Sequence, residues 1–328
     1  MPVFEALKRV VHCDWGVSAR KRATCIANRT SSGWRIDSIG NAGDPRSLLS
    51  RISENLATQD RVVIGFDFPI GYPESYGLQA ALHGFLTALP MLGQGVWENF
   101  FNKAYEPHEV SIHRPFYPRH GNPQGFTSTD IHAAALGIRW KDLYRVCEKG
   151  TDYRNQASPL FWTLGPKAVG TAAICGWREV LQPLLAMPHR EFGIWPFEGS
   201  LGSILQNRKG AVVETYPGEA YSHIGFPRFW TGKTSRLSRQ GRAVDFHRWA
   251  DKAEVTFSDA VTDEIENGFP QIDGQRSERD GEDPFDALVG LCSMMEVVRG
   301  AREEGRHPSP AAERHEGWIF GQQYSQLV

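Results

Sequence analysis

Two apolar runs set the frame of this chain, and each ends on an aspartate. Val10-Val11-His12-Cys13 leads into Asp14, and Val62-Val63-Ile64-Gly65-Phe66 leads into Asp67. Short continuous runs of this kind read as strands buried on both faces. The pattern predicts strands over 9–15, 20–29 and 33–39; in the last, Trp34, Ile36 and Ser38 alternate with Arg35 and Asp37. Gly16 and the Ser31-Ser32-Gly33 corner supply turns. Links this short leave no room for a crossover helix, so the three strands form an antiparallel meander. Pro45 opens a helix over 45–57, with Leu48, Leu49, Ile52 and Leu56 on one side. The strand over 61–66 follows, giving the order β-β-β-α-β.

Residues 68–205 change character. Pro, Gly and aromatic residues are dense, as in Phe116-Tyr117-Pro118-Arg119-His120-Gly121. The stretch reads as an insertion of long loops and helices, roughly 76–89, 140–148 and 168–186, too aromatic for disorder. The sheet resumes over 211–216, and Pro217 ends that strand. Residues 228–252 mix Arg228, Lys233, Arg236, Arg239, Arg242, Arg248 and Lys252 with Phe229, Trp230, Phe246 and Trp249. Residues 266–282 read as a polar, mobile loop. A helix over 284–299 closes the core pattern, with Phe285, Leu288, Val289, Cys292 and Met295 as its apolar stripe and Gly290 and Ser293 as a small face.

The 328 residues are 41% hydrophobic and 23% charged, an ordinary globular composition with ample core. A net charge of -2 gives no global attraction to nucleic acid, yet leaves room for a local grip. Five cysteines with no C-x-x-C pair argue against a structural zinc site or a disulfide framework. The residues from Met1 to Arg9 hold no apolar signal core, and no run approaches a membrane span. A cytoplasmic protein with reduced cysteines and no membrane partner is the expectation.

The acidic residues carry the chemistry. In a β-β-β-α-β sheet the first and fourth strands are parallel neighbours, so Asp14 and Asp67 face one crevice at their carboxyl ends. Gly16 leaves room there for a phosphate, and Pro69 holds Phe68 extended. Asp283 and Asp286, three apart at a helix start, share a face. Glu214 ends the strand Ala211-Val212-Val213. Each residue also has a structural reading. Asp283 before Pro284 suits an N-cap, Asp286 suits the helix dipole, Asp67 a turn, and Glu214 an ion pair with an arginine. Converging carboxylates need protons or a cation between them, and as a set these point to a divalent metal. The basic and aromatic stretch 228–252 is either a strand-binding face or a solvated helix with aromatics turned inward. Asp245 and Asp251 dilute its charge and favour the latter. Arg114, Arg119 and His120 form a second candidate phosphate patch.

At these residues the chain resembles the ribonuclease-H-like superfamily, and within it the predicted nucleases termed domain of unknown function 429. The pieces that carry the resemblance are Cys13-Asp14-Trp15-Gly16, Gly65-Phe66-Asp67-Phe68-Pro69-Ile70-Gly71, Val213-Glu214-Thr215-Tyr216-Pro217, Asp283-Pro284-Phe285-Asp286-Ala287-Leu288 and Glu316-Gly317-Trp318. The resemblance implies one ribonuclease-H-like α/β domain over 1–328: a mixed five-stranded sheet flanked by helices, with 68–205 as a helical and loop insertion. It implies Mg²⁺ or Mn²⁺ as cofactor and nucleic acid as partner. Carried over, Asp14 would bridge two metals, Asp67 would hold one, and Asp286 with Asp283 the other. Glu214 belongs to the family signature and joins Asp14, Asp67 and Asp286 as a catalytic candidate. Two metals about 3.5–4 Å apart suit phosphodiester hydrolysis.

Other motifs do not fit. Gly232-Lys233-Thr234 looks like the end of a phosphate loop, but Pro227 stands where a glycine is required. Glu198 breaks the G-x-S-x-G pattern around Ser200. Asp14-Trp15-Gly16 also resembles the first phosphate loop of actin-like kinases, without the second loop or the adenosine-binding glycines. The competing functions are thus a metal-dependent nuclease, a non-catalytic nucleic-acid- or protein-binding module that keeps the fold, and an actin-like phosphotransferase.

Overall fold

Side-chain alternation along buried strands gives the sheet two apolar faces, and each face gathers its own helices. The computed structural model describes residues 4–118, 128–165, 169–270 and 281–327. Strands β1 (Leu7–Asp14), β2 (Ala23–Thr30) and β3 (Gly33–Asn41) form the expected antiparallel meander. Helix α1 (Pro45–Ser53), capped by Asp44 on the backbone N–H of Arg46, leads to β4 (Arg61–Phe66). That strand lies parallel to β1.

The sheet has seven strands rather than five. β5 (Phe192–Ile194) and β6 (Gly210–Glu214) extend the parallel half beyond β4. Helices α2 (Pro217–His223) and α3 (Ala243–Ala253) follow, and β7 (Val255–Phe257) pairs parallel with β3 at the far edge. The spatial order is β5-β6-β4-β1-β2-β3-β7. Both strands missing from the sequence reading, β5 and β7, are three residues long, too short for a two-residue period to stand out. β5 also lies inside 68–205, so that stretch contributes to the sheet as well as covering it.

Helix α4 (Glu282–Val298) begins two residues earlier than expected, with Gly281 at its N-cap. Asp283 is therefore inside the first turn and is not the cap. Of the helices expected in 68–205, the one over 168–186 is present as consecutive α, π and α segments, Gly170–Gly176, Trp177–Leu181 and Gln182–Ala186. The other two break up, 76–89 into Glu74–Gln79 and Phe85–Ala88 and 140–148 into 3₁₀ turns at 140–143 and 146–148, while Thr129–Leu136 is a further helix. Of the expected loop 266–282, residues 271–280 lie outside the described residues, as do Arg119 and His120. No described helix is long and apolar enough to cross a membrane.

One face of the sheet presents Val11, Cys13, Ile64, Phe66 and Val212 to α1 and to Phe68, Tyr76, Phe100 and Trp177 of the insertion. The other presents Val10, Val63, Ala211 and Val213 to Phe285, Leu288, Val289, Cys292 and Met295 of α4. Each Val, Leu, Ile, Phe or Met among them contributes about 1.5–3 kcal/mol on burial. The small face of α4 behaves as its residues suggest. A Cβ at Gly290 would overlap the ring of His12 on β1, so only glycine lets the helix lie this close to the strand. That approach carries the start of α4 to the carboxyl end of β1. Helix α5 (Pro310–Glu316) lies near the chain end and packs against the insertion.

Candidate functional site

Parallel pairing does for Asp14 and Asp67 what the sequence order implies. Cys13 is in register with Phe66, and the N–H of Asp67 donates to the carbonyl of Cys13 over 3.3 Å. The two carboxyls lie close enough to perturb each other's titration. Asp67 Oδ1 also accepts from the backbone N–H of Trp15 over 2.5 Å, which aims it across the gap between the strands. A side chain at Gly16 would meet nothing within 4 Å, so the approach beside Asp14 is open.

Asp286 reaches the same place from α4. It is 3% exposed, accepts from the Tyr221 hydroxyl over 2.9 Å at Oδ1, and takes the Lys233 ammonium at Oδ2. Asp283 sits one turn earlier, half-buried. The four carboxylates act on one another. Burial, then the charges of Asp67, Asp286 and Asp283, push the Asp14 carboxyl well up. Burial pushes Asp67 to about 6, against the hydrogen bonds from Asp14 and the Trp15 N–H. Burial pushes Asp283 to about 6 as well, with Lys21 opposing it and Asp286 adding to it. Asp14 and Asp67 keep some contact with solvent, so the crowding of charge is partly screened. The site is nonetheless short of positive charge, and carboxylates this close favour a proton or a cation between them.

Hard oxygen donors at strand ends suit Mg²⁺ or Mn²⁺ in chemistry. In placement they are not a finished cage: among the described residues no three His, Cys, Asp or Glu side chains form a group that could hold a metal ion. At Asp286 the protein itself supplies a cation, Lys233. Asp286 in turn raises the Lys233 ammonium further.

Glu214, grouped in the sequence reading with the catalytic carboxylates, is placed differently. It is aligned with Phe66 across β6 and β4, but both its oxygens face Arg145, at 2.6 and 2.7 Å. Glu214 Oε2 also accepts from the N–H of Ile70 over 2.6 Å. Arg145 further donates to Glu148 Oε1 and to the carbonyl of Glu316. Glu316 takes the N–H groups of Glu74 and Val146. This buried network ties the loop after Asp67 to the chain end, and a Cβ at Gly71 or Gly317 would collide with the facing backbone. The geometry gives Glu214 the role of an arginine partner.

Arg114 is committed as well: it donates to Glu109 and to the carbonyls of Asn102 and Lys103. In 228–252 the inward reading holds for α3, whose Phe246 and Trp249 are buried and whose Asp245 pairs with Arg242 and Arg248. Phe229, Trp230 and Lys233, just before it, instead line a cavity of about 470 Å³ that Asp67 and Asp286 also border.

Tyr221 and Arg145 are not singled out in the sequence, and Lys233 is read there as one of the basic residues of 228–252. Lys233 stood in a motif that failed as a phosphate loop, and its flanking Gly232 and Thr234 were the available signal. Arg145 is a lone arginine in a loop and carries no local signal. Models of known protein families, curated proteins and solved structures were compared with the chain, and none matches it.

Proposed function

We propose that the chain is a divalent-metal-dependent nuclease of ribonuclease-H-like architecture, akin to domain of unknown function 429, that hydrolyses phosphodiester bonds of a nucleic acid. The observation that carries this reading is the meeting of Asp14, Asp67 and Asp286 from β1, β4 and α4, close enough that the charges of Asp67 and Asp286 push up Asp14. Asp14, Asp67, Asp283 and Asp286 would hold Mg²⁺ or Mn²⁺. Such a cation supplies Lewis acidity and neutralises charge on a phosphodiester.

The rest falls to the protein. The Trp15 N–H orients Asp67, and the Arg145–Glu214 pair fixes the loop behind it. To hold such a cation Asp14 and Asp67 would have to be ionised, so metal affinity would rise with pH. Lys233, at the same cavity wall as Asp286, would offer its ammonium to a phosphate oxygen. The test is the melting temperature of wild type and Asp14→Asn with and without millimolar Mn²⁺, followed by cleavage assays on DNA and RNA. Stabilisation of wild type alone, with cleavage that Asp14→Asn abolishes, supports the reading. No response to Mn²⁺ or Mg²⁺ and no cleavage overturn it.

One observation favours the second reading, a non-catalytic binding module. Lys233 already neutralises Asp286, as a retained fold without metal chemistry would require. Binding that survives Asp14→Asn without any cleavage would select it.

A further inference from the structure

The cavity beside the carboxylates is unlike them in character. Its walls include Tyr153, Tyr216, Tyr221, Phe229 and Trp230. Tyr221 belongs to both regions, since its ring meets Trp230 edge-on with centroids 5.0 Å apart while its hydroxyl donates to Asp286. Aromatic walls joined to an acidic floor are opposite requirements for one ligand, unless that ligand has a flat uncharged part and a charged part.

Phe229 sharpens the argument. It is 51% exposed at the cavity wall. Its φ is +56°, a backbone region that costs a bulky residue strain. A hydrogen bond from its N–H to the carbonyl of Tyr153, 2.8 Å, holds it there. Its ring makes no ring–ring contact among the described residues. An apolar ring held half exposed at the cavity wall, in a strained backbone region, is available to a ligand in the cavity.

We propose that this cavity takes one unpaired nucleobase of the strand whose phosphate lies on the carboxylates. The substrate class is therefore single-stranded nucleic acid, or a strand end or loop with a base free to leave the stack. The inference rests on the nuclease reading for the position of the phosphate. Stacking on aromatic faces is tolerant of base identity and suits a neutral ring. The charged groups of the lining, Asp67, Glu282 and Asp286 with Lys233 and Arg154, lie with the aromatic walls in one cavity, so base and phosphate can be held side by side. The exposed amides of Asn155 and Gln156, also at its wall, can serve a base edge. A base inside an intact duplex cannot reach this position without being flipped, which costs unpairing and unstacking.

The experiment uses the full chain and short DNA and RNA oligonucleotides carrying one 2-aminopurine, whose fluorescence is quenched on stacking. Each is titrated as a single strand and as a perfect blunt duplex with the probe internal, in Ca²⁺ and in a chelator. Quenching by the single strand and not by the duplex is expected. Phe229→Ala, which removes no core contact, should weaken single-strand binding about tenfold with an unchanged circular dichroism spectrum; Trp230→Ala should do so too. Absence of quenching with every single strand, or equal quenching by wild type and Phe229→Ala, overturns the proposal. The nuclease reading fails separately. Quenching that depends on Phe229 without cleavage in Mg²⁺ or Mn²⁺ keeps the base pocket and removes hydrolysis. Cleavage of perfect duplex without quenching does the reverse.

Discussion

The ammonium of Lys233 rests on Oδ2 of Asp286, although 53 residues separate them along the chain. It stands where a divalent cation would compete for the same oxygen. Removing it should therefore expose the metal affinity of the site. Lys233→Met should lower metal-free stability by about 1 kcal/mol, since the lysine is partly exposed and its pairing is screened. The same variant should show a larger rise in melting temperature with Mn²⁺ than wild type does. A smaller rise would mean that Lys233 assists binding instead of competing.

The raised carboxyls give a pH dependence with a definite sign. Asp67 takes a proton at about 6 in the folded chain and at about 3.9 when unfolded. Between those values the folded state binds more protons, so stability falls as pH rises through this window. Asp14 is raised in the same sense. Metal-free protein should thus lose about 2 kcal/mol from pH 4 to pH 7 through this pair. Asp14→Asn should flatten that slope and melt higher than wild type at pH 8 without metal. Denaturant titrations at several pH values measure both, and an unchanged slope would place the frustration elsewhere.

Two buried histidines act in the opposite direction. Burial pushes His12 and His223 down to about 3, so both are neutral when folded and charge near 6.5 when the chain unfolds. Their contribution is present above pH 6.5 and is lost as pH falls toward 3. His12→Gln, in the variant that also carries Asp14→Asn, should reduce the remaining acid-side loss. The reading is the pH dependence of the unfolding midpoint in urea.

Glu214 is expected to be structural. Glu214→Gln removes one of the two carboxylates paired with Arg145, leaves Glu148 as its counter-charge, and should cost about 1–3 kcal/mol. The surviving folded protein should still be stabilised by Mn²⁺. A loss of the metal response, with stability held, would return Glu214 to the ligand set.

Gly290→Ala forces α4 away from His12. Overpacking of this kind costs about 1–3 kcal/mol, and it displaces the helix that carries Asp286. The melting temperature should fall and the Mn²⁺ response weaken together. Gly202→Ala, where a Cβ would meet nothing within 4 Å, is the control and should leave the Mn²⁺ response unchanged.

By itself the sequence determined the elements whose causes are local. The apolar runs before Asp14 and Asp67 are strands because four and five successive residues are buried there, and the short links of the meander allow only antiparallel pairing. From that order alone Asp14 and Asp67 become neighbours, and the small face of α4 is legible in Gly290 and Ser293. Tertiary structure decided what depends on partners far away in the chain. Three-residue strands β5 and β7 exist because an edge was available to pair with, not because their own residues demand it. Glu214 became a partner of Arg145 because a loop 69 residues away delivers a guanidinium to it. Lys233 became the counter-charge of Asp286, and Phe229 the exposed ring of a cavity, because a stretch after α2 folds back over the sheet's carboxyl edge. A carboxylate's role is set by which cation reaches it, and that is a property of the assembled fold.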